Sequence, residues 1–295
     1  MDHNPSLFFI VGCGRSGTTL LQSICLRVPN VMVGPETKFF GVFPPHSSLS
    51  SPASWQKALE KIQLIADRDH MQLEWADDEI NPINRTHKAL LKAWLHALGR
   101  PHQAQWIGDA SNVHTPHILR LAQLFPQAKI IHLFRDPRDV VASQYVAWQT
   151  STIRGSLRWY RAYQTHLKAQ SHLSKDQYYF LKYEDLVINP QDTISSLCTW
   201  MGWPFHSDLL SPHLRKQTGF APREAHKLDT LKPMTHKKIG QYKKRLKPDD
   251  LFWIEKICAQ GMKELNYNMD EVFSLQQIKT LPLYVKQGLD LLRGK

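Results

Sequence analysis

An uninterrupted apolar run, Leu7-Phe-Phe-Ile-Val11, closes on Gly12 and is followed almost at once by Gly17-Thr18-Thr19. Consecutive apolar residues leave no polar face, so a strand here must be buried on both sides, as in a parallel sheet covered by helices. The glycine-bounded turn then leads into a helix, read over Thr18 to Val28 and ended by Pro29-Asn30. A strand, a tight turn and a helix in this order gather backbone N–H groups and a helix N-terminus around one point, which is an anion site. Val31 to Val33 follow as a short strand and complete a βαβ unit.

The alternation recurs further along. Trp106 to Gly108 reads as a strand and Pro116 to Leu124 as its helix. Lys129 to Phe134 is a strong strand, Arg135 to Asp139 a turn and Val140 to Trp148 a helix, and Tyr178 to Lys182 is the last clear strand. The expected fold is therefore α/β, a P-loop-like three-layer arrangement with a central parallel sheet flanked by helices and ligands at the carboxyl ends of the strands. Residues 1–295 read as one domain. It carries a helical insertion over about 41–105, with helices around Trp55 to Ile65 and His87 to Leu98. Past a basic cluster from His236 to Lys247 come a helix over Pro248 to Leu265 and, in the tail at about 270–295, an amphipathic stretch from Leu275 to Leu292. That stretch reads as a helix packed on the domain, with peripheral membrane contact as the other reading.

Composition narrows the class. Four cysteines stand apart without CxxC or Cys/His spacing, so neither a disulfide framework nor a zinc site is expected, and a reducing cytoplasm fits. No apolar stretch reaches membrane-spanning length, and no metal-ligand cluster is apparent. The net charge of +11 favours anionic partners, while the absence of an aromatic-interleaved basic motif argues against nucleic acid. Oligomeric state leaves no trace in the sequence.

The phosphate loop also has an informative absence. A nucleotide triphosphatase needs lysine immediately after the second glycine, to reach the terminal phosphates, and here Thr18 stands there. Positive charge comes instead from Arg15, inside the loop, whose guanidinium can meet a terminal group or a leaving phosphate. A second cationic site lies at the end of the strand Lys129 to Phe134: Arg135, with Ser143 one to two turns into the following helix, can converge on a different phosphate. Arg138 reads as a member of an exposed turn, with Asp136 and Asp139 as local ion-pair partners.

With these two motifs in place, the chain resembles the sulfotransferases that use 3′-phosphoadenosine 5′-phosphosulfate (PAPS). Gly14-Arg-Ser-Gly-Thr-Thr-Leu20 is similar to the family's 5′-phosphosulfate loop, and Arg135 with Ser143 to its 3′-phosphate motif. The resemblance implies that Gly14, Arg15, Ser16, Gly17, Thr18 and Thr19 surround the 5′-phosphosulfate and that Arg135 and Ser143 hold the 3′-phosphate. It implies that the basic stretch, through Lys237, Lys238 and Gly240, folds over the donor. Lys182-Tyr183-Glu184-Asp185-Leu186 resembles a family segment that supports the fold. No metal is implied.

Sulfuryl transfer needs in-line positioning, charge neutralisation and a base. Glu36, in Gly34-Pro35-Glu36-Thr37 after the second strand, stands at the same sheet edge as the loop and is the expected base, with Arg15 as the neutralising cation. Family members acting on carbohydrates or protein tyrosines carry a glutamate in a similar setting; others use a histidine, which keeps His114 and His117 open. Many relatives have a lysine two residues after the glycine that is Gly108 here, where this chain has Asp109-Ala110-Ser111-Asn112 instead. The accepting group is expected to be a hydroxyl, or an amine, of a glycan, glycolipid, peptide or metabolite. The competing readings are a P-loop kinase or nucleotide triphosphatase and a non-catalytic binder of acidic glycans.

Overall fold

The computed structural model describes residues 5 to 270; the amphipathic stretch expected over Leu275 to Leu292 lies outside them. The apolar run forms β1 (Ser6–Gly12), and the loop after it leads into α1 (Thr18–Cys25) and β2 (Val31–Val33). The insertion is helical, with α2 (Phe39–Val42), α3 (Pro52–Asp69), α4 (Asp77–Ile80) and α5 (His87–Gly99) before β3 (Trp106–Asp109). Then come α6 (Ile118–Leu124), β4 (Lys129–Phe134), α7 (Pro137–Trp148), α8 (Thr152–His172) and β5 (Tyr178–Lys182). Helices α9 (Tyr183–Ile188), α10 (Pro190–Met201) and α11 (Pro248–Glu264) complete the order, the last two separated by short 3₁₀ turns.

The five strands form one parallel sheet in the order β2-β3-β1-β4-β5. Because side chains alternate along a strand, β1 feeds two cores. Leu7, Phe9 and Val11 pack with Trp55 and Ile62 of α3, Trp94 of α5 and Leu121 of α6. Phe8 and Ile10 pack on the other face with Leu21 and Ile24 of α1 and Ile194 and Leu197 of α10. A third cluster joins Phe134, Val140 and Val141 to Trp159 and Tyr163 of α8 and Ile254 and Cys258 of α11. The three-layer α/β fold is thus present, with helices on both sheet faces.

Several boundaries differ from the sequence reading. Helix α1 stops at Cys25, three residues before Val28. Between Asn112 and His117 the chain is 3₁₀ rather than α-helical, consistent with Pro116 disfavouring the α conformation at Thr115. Helix α7 starts at Pro137, capped by the Asp136 carboxylate accepting from the Arg138 N–H, so the expected exposed turn is a buried helical start. Arg138 is only 4% exposed and is clamped by Asp136 at 2.7 Å and by Glu255 at 2.8 Å.

Candidate functional site

In a parallel sheet all strands end at the same edge, so four segments distant in sequence meet there. The loop after β1, Glu36 after β2, the segment after β3 and Arg135 after β4 surround a cavity of about 810 Å³. Glycine is required at two points of the first segment. A Cβ at Gly12 would lie 2.4 Å from the Leu133 carbonyl oxygen of β4. Gly17 sits at φ +103°, and a Cβ there would meet the Tyr183 ring at 2.5 Å. Arg15 also has a positive φ, 78°, which turns the loop back toward α1.

Arg15, Ser143 and Arg135 are brought together. The Arg15 Nε donates to Ser143 Oγ at 3.1 Å, and Arg135 donates to the Arg15 carbonyl oxygen at 3.5 Å. Arg135 lies over the Tyr183 ring at 4.6 Å and reaches Asp139 at 3.5 Å, yet its buried Nε has no partner. Burial, and then the neighbouring Arg135, pull the Arg15 pKa below the usual guanidinium range. Two cations held this close and partly desolvated favour an anion between or beside them. Ser16 is fully buried and its Oγ likewise has no partner among the described residues. Gly17, Thr18 and Thr19 line the donor-side cavity with Arg15, whereas Ser16 lines neither cavity and Gly14 faces a neighbouring one.

Glu36 lines the cavity and is held by the Lys227 ammonium at 2.8 Å; the same ammonium contacts Glu224 at 3.0 Å. Burial would raise the Glu224 carboxyl, but Lys227 holds it below its ordinary value. Beneath Glu36 lies Asp109, buried at 1% exposure. Its carboxylate accepts from the Thr37 hydroxyl at 2.5 Å, the Ser111 N–H at 3.1 Å and the Ser111 hydroxyl at 2.5 Å, and pairs with His114 Nε2 at 3.0 Å. Burial alone would raise its pKa; His114 and these hydrogen bonds pull it below the usual carboxylate range. The departure from the family pattern after Gly108 is therefore a buried hub that fixes the backbone next to Glu36.

The hub also accounts for the histidines after β3. His114 is fully buried on Asp109 and edge-on to Phe9 and Phe40, while His117 packs on Phe40 at 4.7 Å, and neither lines the cavity. Of the basic stretch, Lys238, Gln241 and Arg245 line the cavity, but Lys237 and Gly240 do not. The Gly240 N–H instead donates to Asp139 at 2.8 Å, tying the stretch to α7, and the Lys238 ammonium is engaged by Asp229 at 2.5 Å. Sequence reasoning missed Lys38, Lys227 and the contact of Tyr183 with Arg135. Lys227 is 191 residues from Glu36, in a 3₁₀ turn without periodicity, and only the folded chain joins them. Among the described residues no group of His, Cys, Asp and Glu could hold a metal, and no helix is long and apolar enough to cross a membrane.

A profile described as the sulfotransferase family matches residues 5–207, about two thirds of the chain, and takes in the loop, Glu36, Arg135 and Ser143. The chain belongs to the sulfotransferase family. Among sulfotransferases of known role it is 27% identical over 211 residues to protein-tyrosine sulfotransferase 1 of Danio rerio, covering 69% of this chain and 55% of that protein. The chain spans about half the length of the protein-tyrosine sulfotransferases it matches. Its fold is similar to the sulfotransferase domain from the curacin biosynthetic pathway, with a TM-score of 0.61 at 19% identity over 90% of this chain and 99% of that one. The sulfotransferase domain of the Synechococcus PCC 7002 olefin synthase gives 0.59 at 20% identity over 88% and 97%.

Proposed function

We propose that this sulfotransferase moves a sulfuryl group from PAPS to an acceptor hydroxyl, with Glu36 as base. The carrying observation is one cavity with two cationic anchors, Arg15 in the loop and Arg135 with Ser143 at the next strand end, and threonine where a triphosphate-binding lysine would stand. The buried, unpartnered Nε of Arg135, a residue of the cavity wall, fits an anionic group there. Solved sulfotransferase structures bound to 3′-phosphoadenosine 5′-phosphate (PAP), such as mouse SULT7A1, are consistent with this donor class.

PAPS supplies an activated sulfur–oxygen bond to a phosphate leaving group. In this reading the loop N–H groups with Thr18 and Thr19 hold the 5′ end, and Arg135 with Ser143 the 3′-phosphate. As the acceptor oxygen bonds to sulfur, Glu36 takes the hydroxyl proton. Arg15 neutralises charge on the leaving phosphate as its bond to sulfur breaks. The Lys227 ammonium, 2.8 Å from Glu36, holds that carboxylate at the cavity wall. The buried thiols of Cys13, Cys25, Cys198 and Cys258 support a reducing, cytoplasmic setting.

Calorimetric titration with PAP and with ATP–Mg tests the donor, and transfer of label from ³⁵S-PAPS tests the chemistry. PAP is expected to bind without metal, and Arg15→Ala to abolish transfer. Tight binding of ATP–Mg with none of PAP would overturn the reading.

A further inference from the structure

Helix α8 carries no acidic residue in its 21 positions, yet presents Arg154, Arg158 and Arg161 to solvent. All three line a second cavity of about 1150 Å³ with no carboxylate among its described lining residues. This cavity shares Asn112, Val113 and Trp148 with the donor cavity and reaches the loop at Gly12, Cys13 and Gly14. A helix exposed to water ordinarily interleaves carboxylates at i±4 with its arginines. Elsewhere in the molecule arginines find carboxylates on other segments: Arg27 pairs with Asp208, Arg100 with Glu79, and Arg223 with Asp69. Along this groove no such pair forms among the described residues, and the Arg158 guanidinium has only the Thr150 hydroxyl at 3.4 Å. Burial and the charge of Arg154 both work against the charged form of Arg158. The cluster thus costs stability through like-charge repulsion, and no described carboxylate along the groove offsets it.

We infer that this groove is the acceptor subsite and that the acceptor is a multiply anionic molecule, its negative groups bound by Arg154, Arg158 and Arg161 while its hydroxyl reaches the donor cavity past Asn112 and Val113. Arg154 to Arg161 spans seven residues, a rise of about 10 Å along the helix, so the groove suits an acceptor with at least two negative groups about that far apart. Carboxylate, phosphate and sulfate groups share the chemistry a guanidinium recognises. The inference rests on the sulfuryl-transfer reading, so its test monitors the donor separately.

The full-length protein, saturated with PAP so that the donor anchors are filled, is titrated with sodium tripolyphosphate by calorimetry. Saturable binding is expected, weakening with added salt and by about tenfold or more in the double variant Arg158→Gln/Arg161→Gln. PAP affinity is expected to be unchanged in that variant, and Lys168→Gln, which removes an exposed charge of the same helix outside the cavity, is expected to leave tripolyphosphate binding intact. Absence of saturable binding, or an equal loss in Lys168→Gln, overturns the proposal; failure of PAP itself to bind points instead at the donor reading. A second arm measures ³⁵S transfer to matched pairs, tyrosyl peptides flanked by Glu or by Gln and hydroxylated disaccharides with or without a carboxylate. Each acceptor turned over is expected to be favoured about tenfold or more in its anionic form, a preference erased in the double variant. A preference for the neutral members, or one that survives the double substitution, refutes the acceptor assignment.

Discussion

Replacing Asp109 by alanine removes a carboxylate that satisfies four donors at once: the Ser111 N–H, the Ser111 and Thr37 hydroxyls and the His114 ring. The hydroxyls can rotate to other acceptors, whereas the Ser111 N–H and the buried imidazole lose the Asp109 partner they have in the fold. At about 1–3 kcal/mol for each orphaned donor, with less for the hydroxyls and some relief from no longer burying a charge, the expected loss is about 3–5 kcal/mol. The damage is directional, because Thr37 adjoins Glu36 and the Ser111 hydroxyl accepts from the Lys38 N–H at 2.9 Å. Displacement of Glu36 by about 1 Å would lower turnover about a hundredfold. Denaturant unfolding and ³⁵S transfer, compared with PAP affinity, check this: stability and kcat fall while PAP binding stays within about twofold of wild type. The pH dependence carries a sign. The Asp109 carboxyl titrates below its unfolded value, so the stability it contributes is complete above about pH 4 and is lost as pH falls through the folded pKa. The gap between wild type and Asp109→Ala therefore narrows below about pH 4. A loss under about 1 kcal/mol with unchanged kcat would refute the view that Asp109 positions the base.

Arg135→Ala should weaken PAP by about 10- to 150-fold, as expected for losing a hydrogen bond to a charged group, and leave adenosine 5′-phosphosulfate, which lacks the 3′-phosphate, little changed in calorimetry. In Gly17→Ala the added Cβ meets the Tyr183 ring at φ +103°, so a loss of about 1–3 kcal/mol in thermal unfolding and weaker PAP binding are expected together. Lys227→Met removes the close ammonium from Glu36 and leaves Glu224 with only the more distant Lys38 at 3.8 Å, and should cost about 3 kcal/mol near neutral pH. Because Lys227 depresses the Glu224 pKa, that cost should shrink as pH falls through the carboxylate range, which unfolding curves at several pH values will show.

The parts legible in the sequence are those whose determinants are local. The run Leu7 to Val11, the strand Lys129 to Phe134 and the strand Tyr178 to Lys182 announce themselves because a buried strand must be apolar or aromatic along most of its length. The loop is legible because its glycines and Arg15 are contiguous. Helix α8, the longest in the described residues, escaped notice because Gly155, Ser156 and His166 occupy its buried face and interrupt the apolar stripe. Arg138 read as exposed because its partners Glu255 and Asp270 lie more than a hundred residues later. Lys227 and the Asp109 hub were hidden for the same reason: pairing across the fold is decided by chain crossings, not by spacing.

The parallel sheet has one further consequence. Because Arg15, Glu36, Arg135 and Lys238 come from segments that meet only when β1, β2 and β4 are docked, an unfolded chain offers the donor no partial site. In the proposed reading, nucleotide at a hundred times its dissociation constant would hold the native state by about 2.7 kcal/mol. The globally unfolded, protease-sensitive fraction would then fall about a hundredfold when the donor site is filled.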